Sequence, residues 1–294
     1  MKEESLLLLS DLQKLINQVV LIDYTIIILG GEPMTSIYSY DGKSDIGYQK
    51  SINEDFIDAV ELDERTLLLF VADGTNSDPD GGLQPASIAI HEMGTMLKRI
   101  FEKSASAFLM NPELFLTEAF EFANRILMVF TAANKDRFAG FGCSLACCLI
   151  YQKENQTCAT VVNAGNTRFY LIRLTKGTPA IHQLTTDHTR ASDMVLTGQI
   201  SEEEYYSHLD RLVLTSGLGI LPEPKLQILD NLSIKKNDIL LMTTDGIHYA
   251  IRPEALSDIV LQSGTCSDAA KSLIEAAKIE KYPDNMSALI AYIP

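Results

Sequence analysis

Basic residues are scarce in this sequence: 24 Lys and Arg stand against 39 Asp and Glu, a formal net charge of −15. Phosphate backbones are gripped by clustered basic surface, and none is visible here, which argues against a nucleic-acid partner. Long hydrophobic runs are missing as well. No segment reaches the roughly eighteen apolar residues of a membrane span, and Asn17, Gln18 and Asp23 interrupt the most apolar opening stretch. The start Met1-Lys2-Glu3-Glu4-Ser5 has no basic region and no small-residue cleavage site after it, so a signal peptide is not expected and the protein is placed in the cytoplasm. Cysteine is sparse and odd in number. Five residues in no paired spacing do not make a disulfide framework, and Cys143, Cys147 and Cys148 fall on an apolar run where buried, reduced thiols are expected. No Pro/Ser/Gly-rich linker, repeat or low-complexity tract divides the 294 residues, and 46% apolar content is enough to bury one large core.

What the sequence does contain is three carboxylates at the edges of apolar runs. Asp73-Gly74 closes the run over 66–72, Asp245-Gly246 closes that over 238–244, and Asp284-Asn285 opens that over 286–293. Apolar runs of this length bounded by turn residues read as buried strands. Taken singly, an Asp-Gly after a strand is also a common hairpin turn. Taken together on one sheet rim, the three carboxylates could gather hard oxygen ligands for Mg²⁺ or Mn²⁺.

The remaining pattern mixes strands and helices. Residues 86–103 carry Ile88, Ile90, Met93, Leu97 and Ile100 as one apolar stripe, a helix. Asn111-Pro112-Glu113 combines a cap, a preset first turn and an acid at the positive dipole end, and predicts a helix to about 133. A third helix is expected over 267–279, with a shorter one from Pro253. Strands are expected over 143–151 and 157–174 and around Leu212 and Leu240. This order indicates an α+β fold and excludes a simple βαβ repeat.

Further motifs extend the pattern. Asn53-Glu54-Asp55, Gly81-Gly82 with Ala86-Ser87, Gly165-Asn166-Thr167-Arg168 and Thr243-Thr244-Asp245-Gly246 follow one another in that order before Asp284-Asn285. Over about 35–294 the chain thereby resembles the metal-dependent protein phosphatases of the 2C type, in their bacterial Ser/Thr branch. Together with Asp73-Gly74, those motifs resemble the family's N-E-D, D-G…G-G-x-x-A-S, G-D-S-R, S-D-G and D-N elements. Departures are Asn166 in place of the Asp of G-D-S-R, Lys50 in place of an upstream phosphate-gripping Arg, and Leu212 and Ser216 where Asn and Arg are common.

The resemblance implies a four-layer α-β-β-α sandwich, two antiparallel sheets flanked by helices, with the metals at one end. Residues 1–34 precede the family's usual start; Leu8, Leu12, Leu15, Ile16 and Val19 form a helical stripe, read as an extension docked on the domain. Two Mn²⁺ or Mg²⁺ ions bridged by Asp73 are implied, with Asp245 and Asp284 on one and Glu54 and the Gly74 carbonyl on the other, and Asp55 beside them. The bridging water would attack the phosphorus of phosphoserine or phosphothreonine in line, with Lys50 as the phosphate-binding cation. Asn166 makes a third, weaker ion doubtful. Phosphoproteins, targets of a Ser/Thr kinase, are the implied partners. His91 and His188 are expected to be structural or surface residues. The alternative is a weakly active or inactive regulatory binding module on the same fold.

Overall fold

The computed structural model describes residues 36–75, 84–133, 140–175 and 178–294. Their strands are β1 (Ser39–Asp45), β2 (Asp55–Asp63), β3 (Thr66–Thr75), β4 (Gly142–Lys153), β5 (Gln156–Ala164), β6 (Arg168–Thr175), β7 (Thr178–Gln183), β8 (Gln227–Ile234), β9 (Ile239–Thr243) and β10 (Met286–Tyr292). They form two five-stranded sheets, ordered β2-β3-β4-β5-β8 and β1-β10-β9-β6-β7. Neighbouring strands are antiparallel throughout.

The two-residue period of a strand explains how the sheets stack. Leu67, Leu69 and Val71 of β3 join Cys148 and Ile150 of β4 in one buried cluster with Phe169, Met242 and Leu289 of the other sheet. Each such side chain contributes about 1.5–3 kcal/mol by leaving water. Leu68 and Phe70 take the opposite face, over which α1 (Pro85–Lys103) packs, next to α2 (Ala105–Met110) and α3 (Pro112–Ala133). On the outside of the second sheet, α7 (Pro253–Gln262) and α8 (Cys266–Ile279) cover Tyr170, Ile172, Leu241 and Ile290. The result is the expected helix-sheet-sheet-helix sandwich. Shorter pieces are α4 (Arg190–Leu196), α5 (Glu202–Tyr205), a 3₁₀ turn (Leu209–Leu212) and α6 (Asp245–His248). Among the described residues no helix is long and apolar enough to cross a membrane.

Several expectations need correction. The apolar stretch over 157–174 is two strands, because Gly165 at φ +109° turns the chain out of one sheet and into the other. A Cβ there would lie 2.5 Å from the Ser144 hydroxyl, so only glycine allows this crossing. The stretch around Leu212 is a 3₁₀ turn; Leu209 and Leu212 face solvent, and the chain makes only isolated bridges, Thr189 with Leu214 and Cys143 with Leu218. Neither Asp-Gly makes a hairpin. Asp73-Gly74 continue β3 opposite Ser144 and Cys143, and Asp245-Gly246 open α6. The stripe over 8–19 and Gly81-Gly82 lie outside the described residues.

Candidate metal centre

One end of the sandwich collects acidic side chains from both sheets. Asp73 near the end of β3 stands directly opposite Asp55 at the start of β2. Like charges in register destabilise a strand pair unless something positive is shared between them. From the second sheet, Asp245 follows β9 and Asp284 precedes β10, and these two strands are neighbours. Gly246 makes the junction possible: a Cβ on it would lie 1.9 Å from the Asn285 carbonyl oxygen. Asn285 ties in the first sheet, accepting from the Glu54 N–H at 2.9 Å and donating to the carbonyls of Ile46 and Ile52 at 2.9 and 3.0 Å. Asp55 is itself a bond between sheets, with one oxygen accepting from Thr244 Oγ1 and Ser287 Oγ, both at 2.8 Å. Nothing in the sequence singles out Thr244 and Ser287 for this role, except that Thr244 belongs to the motif over 243–246 and Ser287 lies two residues beyond Asn285.

The electrostatics follow from this crowding. Burial first, and then the mutual repulsion of Asp55, Asp245 and Asp284, hold the Asp73 carboxyl well above the usual carboxylate range. Burial raises Asp55 and Asp245 as well, opposed on Asp55 by its two hydroxyl donors and on Asp245 by Lys50 and Asn166. Lys50 Nζ lies 2.8 Å from Asp284 Oδ1 and 3.7 Å from Glu54 Oε2. Asn166 is buried and donates its amide to Asp245 Oδ2 at 3.2 Å.

These residues fit a hard divalent ion by one direct observation. Asp55 Oδ1 and Asp245 Oδ1 are buried with no hydrogen-bond partner, and an unsatisfied charged oxygen costs more than the ~1–3 kcal/mol of a neutral one. The donors are all oxygen, the set that Mg²⁺ and Mn²⁺ prefer. Among the described residues no three His, Cys, Asp or Glu side chains close into a finished cage. Instead the Lys50 ammonium neutralises part of the acidic group.

Other candidates are excluded as nucleophiles or bases. All five cysteines are free and buried, and burial together with the Asp73 charge pushes the Cys143 thiol up, away from thiolate. His188 accepts the Gly165 N–H at 3.2 Å and is structural, and His91 is exposed. Beside the carboxylates lies a group centred on Arg168, which the sequence places in a motif without giving it a role. Arg168 is buried in a two-point pair with Asp187, 2.8 Å to each oxygen. Tyr205 also donates to Asp187, and its hydroxyl meets that of Tyr249 at 3.0 Å. His248, buried with Nδ1 2.9 Å from Thr243 Oγ1, is held neutral by burial and by the charges of Arg168 and Arg211.

No family model matches the chain. Known proteins do. The serine/threonine phosphatase stp of Listeria innocua is 25% identical over 252 residues, 84% of this chain and 93% of that protein. The serine/threonine phosphatase PstP/Ppp of Mycobacterium tuberculosis, a crystal structure, is 26% identical and superposes with a TM-score of 0.70 over 87% of this chain and 98% of that one. A PstP catalytic domain solved in complex with two manganese ions is 24% identical, with a TM-score of 0.68 over 87% of this chain and 99% of its own. The shared sandwich and these relatives lead to one likeness: over most of its length the chain is similar to bacterial serine/threonine phosphatases of the 2C type.

Proposed function

We propose that this protein is a phosphoprotein phosphatase that removes phosphate from phosphoserine and phosphothreonine and depends on Mn²⁺ or Mg²⁺. The observation that carries the reading is the buried acidic group drawn from both sheets, with one orphaned oxygen each on Asp55 and Asp245. Two ions would be held by Asp73, Asp245 and Asp284 together with Glu54, Asp55 and the Gly74 carbonyl. Ions of this kind supply an acidic water near neutral pH and positive charge for the phosphoryl oxygens. The protein's own part is to hold those carboxylates against their repulsion, which Thr244, Ser287 and Asn285 do by hydrogen bonding. Lys50 is the cation we assign to a substrate phosphate oxygen. Its ammonium acts as a point charge without the planar two-point contact of Arg, and it divides its charge with Asp284.

Burial pushes all five cysteine thiols up, away from thiolate, which agrees with direct hydrolysis without a covalent phosphocysteine. Retention of Asp73, Asp245 and Asp284 supports an active enzyme over a regulatory binding module. Reduced, buried cysteines suit the cytoplasm. Targets of a Ser/Thr kinase are the substrates in this reading.

Phosphate release from a phosphothreonine peptide tests the proposal. Release with Mn²⁺ and its loss on adding chelator are expected. Asp245→Ala should lower kcat at least about a thousandfold, since the lost charge stabilisation is of order several kcal/mol, with an unchanged far-UV spectrum. Equal release with metal and with chelator would sink the reading.

A further inference from the structure

At the end of the sandwich away from the carboxylates, where β6 stops and β8 turns into β9, a cavity of about 280 Å³ is lined by Arg173, Thr175, Lys235, Lys236 and Asp238. Asp238 precedes β9 and Asp245 follows it, so the cavity and the acidic centre are separated by the length of that five-residue strand, roughly 17 Å at the rise of an extended chain. The turn that forms its wall is fixed in its main chain. Asn237 stands at φ +65°, its N–H donates to the Ile293 carbonyl at 2.9 Å, and the Ile293 N–H donates back to the Asp238 carbonyl at 3.1 Å. The buried Asp238 carboxylate closes the turn by accepting the Lys235 N–H at 2.7 Å.

The charges around this cavity are unbalanced. Arg173 donates Nε and Nη2 to the two oxygens of Asp238 at 2.8 and 2.5 Å, and Nη2 also to the Ser233 carbonyl at 3.1 Å. Among the described residues its Nη1 donors are unbonded, on a side chain 24% exposed. Ion pairs of the described residues engage Lys50, Arg125, Arg168, Arg173, Arg252 and Lys278, and none engages Lys235 or Lys236. Three cations therefore face one carboxylate that is already occupied, in a chain with 39 acidic residues against 24 basic ones. A cleft lined by one sign of charge concentrates ions of the other sign. The edge of a guanidinium beside two ammonium point charges suits a compact oxyanion that accepts several donors at once, and the Thr175 hydroxyl adds a neutral donor. The volume lies at the small end of ligand cavities and admits a small molecule.

We propose that this cavity binds a small, doubly charged oxyanion, phosphate either free or esterified to a small metabolite, at a site separate from the metal centre. It shares no residue with the acidic group, so it stands whether or not the phosphatase reading holds.

Lys235→Gln combined with Lys236→Gln removes two exposed charges and leaves the Arg173–Asp238 pair intact. Lys98→Gln combined with Lys103→Gln makes the same charge change at exposed positions of α1 and serves as control. Inorganic phosphate and glycerol 3-phosphate are titrated in chelator, with ionic strength held constant by chloride, and followed by amide chemical shifts; the spectrum of each variant without ligand reports its fold. Saturable shifts at residue 173 and over 235–238 are expected, with a Kd of about 1 mM or lower, the scale of two or three charge-assisted hydrogen bonds. Affinity should fall about tenfold or more in the Lys235 and Lys236 variant and stay unchanged in the control. Saturation by both ligands assigns the phosphate group in either form; saturation by one alone assigns the free ion or the ester. Shifts that fail to saturate with either ligand, shifts centred on Asp55, Asp73 and Asp245, unchanged affinity in the Lys235 and Lys236 variant, or an equal loss in the control would overturn the proposal.

Discussion

Asn166 is expected to limit how many ions the acidic centre can hold. Its buried amide donates to Asp245 Oδ2, so the group beside that carboxylate is a neutral donor where the resembled G-D-S-R motif has a charged acceptor. A dication gains much less from a neutral oxygen than from a full charge while losing the same water. Asn166→Asp is expected to add a weak Mn²⁺ site, read by calorimetry as an extra binding event over the unaltered protein. An unchanged stoichiometry would show that the position does not govern a further ion. At this scale the sequence was readable where an acidic residue abuts an apolar run, as at Asp73, Asp245 and Asp284. It was opaque where a role is conferred by a distant partner. Ser287 is 232 residues from the Asp55 it bonds.

Gly246 carries the corresponding argument for elements. The first turn of α6 and the residue before β10 approach so closely that a Cβ at position 246 would meet the Asn285 carbonyl at 1.9 Å, which backbone movement alone can relieve. Gly246→Ala should destabilise the fold by about 1–3 kcal/mol, the usual scale of overpacking. Because the same movement separates Asp245 from Asp284, Mn²⁺ affinity should fall with it. Thermal unfolding and calorimetry on one sample check both, and a lower melting temperature with intact Mn²⁺ affinity would uncouple them. Elements with a strong period were legible, among them α1, α3 and the wholly buried runs of β3 and β10. Those with half-buried, charge-bearing faces were not: β1 and β2 mix Asp, Glu and Lys into their alternation, and the turn at Leu209–Leu212 owes its form to neighbours rather than to propensity.

For the whole molecule the acidic centre is a liability in the absence of cations. Asp55 and Asp245 are pushed up to about 7, above the ordinary 3.8 of an unfolded aspartate. A carboxylate whose folded value is raised adds stability below its unfolded value and loses it as pH rises through the folded one. In chelator this contribution is therefore full near pH 4 and gone above about pH 7, whereas Mn²⁺ binds the ionised form and stabilises more as protons leave. The melting temperature with Mn²⁺ minus that with chelator should widen steadily from about pH 5 to about pH 7.5. A constant or narrowing gap would show that these carboxylates are not where the metal binds. The four-layer architecture was legible only through the family resemblance that the motifs carry, since the periodicity of strands and helices reaches no further than an α+β fold. The cation chemistry inside it was not, because Lys50 reads in the sequence as a free phosphate ligand and in the fold is already engaged by Asp284.

The bond from Asp55 to Thr244 and Ser287 also sets a timetable. Asp55 emerges early from the ribosome and Ser287 late, and β10 is the sole sheet neighbour of β1 as well as a partner of β9. A nascent chain that has already made β2 to β9 and the Asp245 turn has all of the acidic group but Asp284 in place, and of the two hydroxyl donors to Asp55 only Ser287 is missing. On the proposed reading, ion binding and hydrolytic competence therefore wait for β10 to enter between β1 and β9.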